Sequence, residues 1–230
     1  MAKSLSIQAY YERVRDTFQA AGNPEVAEGQ MQYMRNQFEY FGLKMPAWTA
    51  LAKALFKDLG FPGNDELPDL VRLCLADDHR EMHYFGLELC QKRLKLQEAG
   101  FIDFLEELII TRSWWDTVDW LAKLTGIHFQ RFPELLRPVT RRWMDSENIW
   151  LQRTAIICQR FYKKDTDADL LFGYILEVAD SKEFFLQKGA GWALREYSKV
   201  APEAVADFIE QHDLPALTSR EGMKWIRRKH

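Results

Sequence analysis

Apolar positions recur every three to four residues along most of this chain, the period of a helix that buries one face. From about Leu5 or Ser6 to Ala21 the stripe is Tyr10, Val14, Phe18 and Ala21. Asn23-Pro24-Glu25 reads as a cap followed by a helix-starting proline. The helix it opens carries Val26, Met31, Tyr33, Met34 and Phe38. Pro46 opens a third helix, through Leu51, Leu55 and Phe56 to Gly60, and the run from Gly60 to Asp65 is a turn cluster. Pro68 starts the next helix. Asp78 caps one expected from about His79 to Ala99, and Gly100 stops it. Further helices follow at Phe101–Ile110, after Ser113 to near Gly126, from Pro133 to Trp143, after Ser146, from Asp165-Thr166-Asp167, after Ser181 and from Pro202. The last follows Thr218-Ser219-Arg220-Glu221, where Thr218 and Glu221 have the spacing of a capping box. No stretch alternates with period two, and no Asn-Gly marks a hairpin. The pattern predicts an all-α fold, with helices paired into hairpins and stacked. No linker cuts it, so a single domain over residues 1–230 is expected, with Gly60–Asp65 as its weakest point.

Three of these starts are related. Ser113, Ser146 and Ser181 lie 33 and 35 residues apart, and each precedes an apolar-rich helical run, so each reads as an N-cap. Leu151-Gln152-Arg153 and Leu186-Gln187-Lys188 match at a spacing of 35. That period belongs to helical hairpin arrays, in which equivalent positions of successive repeats line one surface. Asp119, Arg153 and Lys188 stand six, seven and seven residues after their serines. One face is therefore expected to carry a carboxylate, a guanidinium and an ammonium in a row. Trp115 lies one turn before Asp119, and Trp192 one turn after Lys188, so each pair shares a helix face.

Composition narrows the function classes. With 47% apolar and 28% charged residues the chain is globular rather than disordered. Its net charge of −3 argues mildly against a nucleic-acid partner, but the charge is unevenly placed. Residues 1–110 hold 12 Lys and Arg against 17 Asp and Glu, whereas residues 111–230 hold 19 against 17. Arg220, Lys224, Arg227, Arg228 and Lys229 face Glu221 alone. That tail reads either as a solvated helix end complementing the dipole or as a phosphate-contacting segment. Cys74, Cys90 and Cys158 are widely spaced and fall in apolar helical pattern, so buried free thiols and a reducing compartment are expected. Met1-Ala2-Lys3-Ser4-Leu5-Ser6 has no secretory apolar core, and nothing approaches a membrane-spanning length. A cytoplasmic protein without a membrane partner is expected.

Few residues offer chemistry. His79 and His83 are spaced i,i+4 but lack a third ligand, so an ordinary polar face is preferred to a metal site. Gly189-Ala190-Gly191 lacks the preceding strand of a phosphate loop. Two glycines inside a helix cost roughly 1–2 kcal/mol against alanine, and close approach of another helix or a ligand is what would offset it. No histidine accompanies the serines in a nucleophile motif. On spacing alone Asp119 would be a solvated carboxylate beside a half-buried Trp115. Its alignment with Arg153 and Lys188, and the presence of Trp192, turn it into the principal candidate.

At these residues the chain resembles the AlkD family of bacterial alkylpurine DNA glycosylases. The densest parts are Gln32-Tyr33-Met34-Arg35-Asn36, Phe104-Leu105-Glu106-Glu107-Leu108, Ser113 to Asp119, Asn148 to Arg153, Ser181 to Phe185 and Gly191 to Tyr197. The resemblance implies a curved, solenoid-like array of HEAT-like helical hairpin repeats. It also implies excision of positively charged 3- and 7-alkylated purines from duplex DNA without a base-flipping pocket, and no cofactor or metal. It places the catalytic aspartate on Asp119, the two sugar-packing tryptophans on Trp115 and Trp192, and the phosphate-binding arginine on Arg153. Lys188, Arg195 and Tyr33 are further DNA-contact candidates. After Pro46 the family leads one to expect a basic pair, where Ala47-Trp48-Thr49 stand instead. The alternative is a non-catalytic HEAT-like module that binds DNA structures or a protein. No self-complementary apolar stripe is left over, so a monomer is expected.

Overall fold

The computed structural model describes residues 5–229; the first four residues of the N-terminal segment and His230 of the basic tail lie outside them. Among the described residues the fold is all-α, and a lone bridge between Glu39 and His79 is the nearest approach to a sheet. No helix among them is long and apolar enough to cross a membrane. The chain divides into two compact units, residues 1–97 and 98–230. The division falls after Gln97 rather than at the Gly60–Asp65 turn. That turn is fastened: Arg93 donates to Asn64 Oδ1 at 2.9 Å, and Asn64 donates to the Leu96 carbonyl at 3.4 Å.

The first unit contains α1 (Ile7–Ala20), α2 (Pro24–Tyr33), α3 (Met45–Leu59), α4 (Leu67–Ala76) and α5 (Arg80–Arg93). Ser6 caps α1 by accepting the Ala9 N–H, and Tyr10, Val14 and Phe18 are its buried face, as their spacing predicts. Asn23 caps α2, and Gly60 ends α3 with φ 73°. Helix α5 stops earlier than expected, tightening into a 3-10 turn at Leu94–Leu96. A buried carboxylate organises the connection before α3. Glu81 accepts the backbone N–H groups of Phe41, Gly42 and Leu43 at 3.1, 2.9 and 3.0 Å. Gly42 is required there: its φ is 92°, and a Cβ would lie 1.9 Å from the Asn23 carbonyl. Trp48 is core, its indole donating to the Glu81 carbonyl at 3.1 Å. The histidine pair is likewise committed to packing. His83 bonds Arg80 and the Asp77 carbonyl, while His79 stacks on Phe41 and meets Asp77 Oδ1 at 2.9 Å.

The second unit contains α6 (Phe101–Ile110), α7 (Trp115–Arg131), α8 (Leu136–Met144), α9 (Ile149–Ile157), α10 (Ala168–Glu177), α11 (Phe184–Tyr197), α12 (Pro202–Gln211), α13 (Ala216–Gly222) and the short α14 (Ile226–Lys229). Alternate helices form its row: α7 packs on α9, α9 on α11 and α11 on α13. The repeat read from sequence recurs in the hydrogen bonding. Gln152 donates to the Ser146 carbonyl at 2.8 Å, and Gln187 donates to the Ser181 carbonyl at 2.9 Å. Each serine hydroxyl also accepts the N–H two residues on, from Asn148 and Glu183.

The serines are nevertheless not the N-caps. Trp114, Asn148 and Glu183 hold those positions. Ser113 and Ser146 instead donate to carbonyls of the preceding helices, from Ile109 and Trp143. A hydroxyl at a tight interhelical turn can satisfy an orphan carbonyl behind it as well as a donor ahead. Thr218 and Glu221 form no capping box either: both lie inside α13, which starts at Ala216.

The glycines of α11 serve close packing. A Cβ on Gly191 would lie 2.5 Å from Glu221 Cβ and 2.9 Å from the Thr218 carbonyl. The α11–α13 contact thus closes only without a side chain there. All three cysteines are buried free thiols, and burial pushes Cys158 up to about 12.

Candidate functional site

Three successive helices of the second unit build the site. Helix α7 begins at Trp115, and Asp119 lies one turn along on the same face. Its side chain is 13% exposed, open enough to touch solvent but mostly enclosed. Helix α9 supplies Arg153, whose side chain is only 2% exposed. The guanidinium forks onto Asp119: Nε donates to Oδ1 at 2.8 Å and Nη2 to Oδ2 at 3.1 Å. Nη1 donates to the Phe185 carbonyl in the first turn of α11. Planar fork and carboxylate match in shape, so the pair fixes the carboxylate's orientation as well as its charge.

Gly189 makes this arrangement possible. A Cβ there would lie 3.0 Å from Arg153 Nη1 and 3.5 Å from its Cγ. One helical glycine therefore opens the slot for Arg153, and its neighbour Gly191 admits α13. The expectation of a close contact at Gly189-Ala190-Gly191 is met twice, by different partners.

Trp192, three residues after Gly189 and half-buried, roofs the arginine. Its ring is approached by three guanidinium carbons: Arg153 at 5.7 Å, Arg160 at 5.4 Å and Arg195 at 5.8 Å from the centroid. Such contacts are attractive through the ring quadrupole. They also concentrate positive charge around one indole.

Beside this cluster lies a second carboxylate. Glu221 of α13 is 3% exposed and receives Lys188 Nζ at 2.8 Å, Lys224 Nζ at 2.5 Å and Arg195 Nη1 at 3.6 Å. Burial pushes Glu221 up, but the ammonium groups of Lys188 and Lys224 outweigh it and hold its carboxyl below the usual range. Lys188 and Arg195 are thus not bare surface cations. They are pinned by a buried anion, with side chains still 26% and 30% exposed.

The structure brings Asp119, Arg153 and Trp192 together, with Arg195 and Lys188 adjoining through Trp192 and Glu221. Of the row of charges expected from the repeat spacing, Asp119 and Arg153 meet, with Arg153 turned inward onto the carboxylate, while Lys188 is paired with Glu221 of α13. Three of its five N–H groups are committed to Asp119 and Phe185. Trp115 is half-buried at the start of α7. Tyr33 belongs to the first unit, as the last residue of α2, and is 72% exposed. Arg35 and Asn36 follow it in left-handed conformation, with φ 55° each. Two members of the cluster escaped the sequence reading. Glu221 has the spacing of a cap but lies inside α13. Arg160 lies three residues past the end of α9, where no helical spacing marks it.

Comparison with known proteins agrees with this organisation. A family model described as DNA alkylation repair enzyme matches residues 14–226. The chain belongs to that family. Among solved structures it is similar to a predicted DNA alkylation repair enzyme from Enterococcus faecalis, at 29% identity and a TM-score of 0.85, covering 89% of this chain and 96% of that one. It is also similar to AlkD2 from Streptococcus mutans, at 16% identity and a TM-score of 0.65, covering 96% and 97% of the two chains. The second likeness is one of fold: the helical repeat array is shared. No curated protein matches the sequence. As a member of the alkylation repair family the chain has DNA as its partner, and in the Asp119 cluster charge and aromatic surface lie side by side.

Proposed function

We propose that this protein is a DNA glycosylase that hydrolyses the N-glycosidic bond of positively charged 3- and 7-alkylated purines in duplex DNA. The observation that carries the reading is Asp119: an enclosed carboxylate, oriented by a forked arginine beside an indole face, in a chain of the alkylation repair family.

The chemistry follows from the substrate. A purine alkylated at N3 or N7 is already cationic and leaves without a strong general acid. As the bond stretches, positive charge grows on the deoxyribose, an oxocarbenium-like state. A carboxylate fixed beside the sugar stabilises that charge without reorganising. Arg153 occupies one position on each Asp119 oxygen, which leaves the remaining lone pairs for the sugar and for a water directed at C1′. Trp192 and Trp115 supply π-faces that favour the cation and keep bulk water away. The set contains no histidine and no second free carboxylate, as a pre-charged leaving group allows.

Arg153, Lys188, Arg195 and Tyr33 are the proposed contacts to the DNA backbone. Arg153 has two N–H groups uncommitted on a side chain only 2% exposed, so a phosphate that meets them must come up against the Asp119 cluster itself. Lys188 and Arg195 keep part of their surface in solvent, and their shared anion holds them in place for it. Contacts of this kind are sequence-independent and salt-sensitive. Nothing in the proposal requires the base to leave the stack, in contrast to enzymes that extrude their target.

The test is product identity. Methylated duplex incubated with the protein should release free 7-methylguanine and 3-methyladenine and leave abasic sites in intact strands. Loss of the methyl group with the base retained would replace this proposal with direct reversal. No release, with duplex binding intact, would replace it with a non-catalytic DNA-binding role.

A further inference from the structure

Of the three arginines around Trp192, two have a carboxylate within ion-pairing distance. Arg153 is paired with Asp119, and Arg195 with Glu221. Arg160 is different. Among the described residues its guanidinium has no ion-pair partner and no hydrogen-bond acceptor. It is held only by aromatic faces, 5.4 Å from the Trp192 centroid and 4.9 Å from that of Phe161. Nor is it loosely placed. The segment behind it is anchored by Tyr162, buried and donating to the Gly126 carbonyl at 2.6 Å. Gly126 permits that closeness, since a Cβ there would lie 2.1 Å from the Cys158 carbonyl.

An arginine that is half-buried and unpaired is costly. Burial works against its charge, and the guanidinium gives up part of its hydration without gaining a protein acceptor. Asp119 and Glu196 pull the other way electrostatically, but neither is within ion-pairing distance, and Glu196 is bonded to Lys199 at 2.6 Å. The N–H groups of Arg160 are therefore left without an anionic partner within bonding distance. Arg160, Gln159 and Lys163 line the same small cleft with Glu196 and Tyr197, which has room for about one water. Lys163 and Lys164 continue the positive charge on the exposed side, next to Phe161, which is 54% exposed.

We propose that Arg160 is a DNA-backbone anchor: it receives a phosphate oxygen of the strand whose sugar is held at Trp192, and it fixes that sugar's distance from Asp119. This rests on the proposed action on duplex DNA and adds a residue to it. The division of labour is physical. Arg153 orients the carboxylate, Arg195, Lys188 and Lys224 share one buried counter-ion, and Arg160 brings to the rim of the indole a charge with no carboxylate within ion-pairing distance. A phosphate there restores the missing partner, and the aromatic faces on Trp192 and Phe161 keep the guanidinium plane pre-set, so little rotamer freedom is lost on binding.

The experiment is the salt dependence of binding to an undamaged duplex oligonucleotide, with wild type, Arg160→Gln and Arg160→Lys compared. Each phosphate neutralised contributes about 0.9 to the slope of log K against log salt. Arg160→Gln should lower the slope by about 0.9 and weaken binding about fivefold at 0.15 M salt. Arg160→Lys should restore the slope, since it keeps the charge. An Arg160→Gln slope equal to wild type, with wild type binding and excising normally, would overturn this inference and leave the glycosylase reading standing. The same result with excision alone reduced would make Arg160 a support for Trp192 rather than a DNA contact, and would equally overturn it. Absence of duplex binding by the wild type would overturn both.

Discussion

Replacing Arg153 with lysine tests the geometry of the site most sharply. The guanidinium makes three hydrogen bonds, two to the Asp119 oxygens and one to the Phe185 carbonyl. An ammonium is a point donor and cannot span both carboxylate oxygens in a fork. From the slot beside Gly189 it reaches one acceptor of the three well. Two hydrogen bonds to or from charged groups are lost, each worth about 1.5–3 kcal/mol. Asp119 is 13% exposed and recovers some hydration, so the net loss is about 3 kcal/mol. In a chain of this size that lowers the melting temperature by about 6–12 °C. Thermal unfolding followed by circular dichroism reads it directly. Excision should fall as well, because the carboxylate loses its fixed orientation while the charge at position 153 stays the same. A lysine variant that melts with the wild type and excises normally would refute the reasoning. It would mean that Arg153 acts as a point charge for phosphate and that its fork onto Asp119 carries no energy.

The remaining predictions concern the scaffold and its second carboxylate. Gly191→Ala should destabilise by about 2 kcal/mol in denaturant unfolding, because its Cβ would meet α13 backbone and Glu221 at 2.5–2.9 Å. Gly173→Ala, in the interior of α10 with nothing within 4 Å of the added carbon, should stabilise by about 0.5–1 kcal/mol in the same assay. Equal effects from the two would show that packing at α11 is not what the glycine serves. Glu221 has a depressed folded pKa, so its contribution to stability is full above the ordinary carboxylate range and is lost as pH falls through the depressed value. Unfolding free energy of the wild type should therefore drop as pH falls from about 5, and Glu221→Gln should be flatter over that window. At neutral pH the variant should be less stable by about 1–2 kcal/mol, because its three cationic partners keep partial access to water. Parallel pH profiles would refute the assignment of Glu221 as their counter-ion.

Much of the fold was legible because it is written in periodicity. Tyr10, Val14 and Phe18 are spaced as a helix face and are buried as one. Asn23, Pro46, Pro68 and Pro202 mark starts that the structure keeps to within a residue or two. The 35-residue match between Gln152 and Gln187 predicted equivalent places, and both side chains make the same hydrogen bond. Local chemistry was less legible where a side chain had two ways to be satisfied. A serine before a helix can cap it or can bond back to the helix behind, and only the angle between the helices decides. Glu221, three residues after Thr218, has capping-box spacing, yet two of its three cationic partners lie on α11, more than twenty residues away. The inward turn of Arg153 was beyond sequence too. It depends on α7 and α11 approaching α9 from either side, and the sole trace of it in the chain is Gly189.

The measurement that bears most directly on the central claim is single-turnover release of 7-methylguanine and 3-methyladenine from methylated duplex, wild type against Asp119→Asn, at a temperature where both are folded. The substitution keeps the shape and one acceptor for Arg153 and removes the negative charge beside the sugar. The account predicts base release by the wild type and a fall of about 10²-fold or more in the variant, the scale of a lost electrostatic group, with duplex binding retained. Release at the wild-type rate by the folded variant would contradict it.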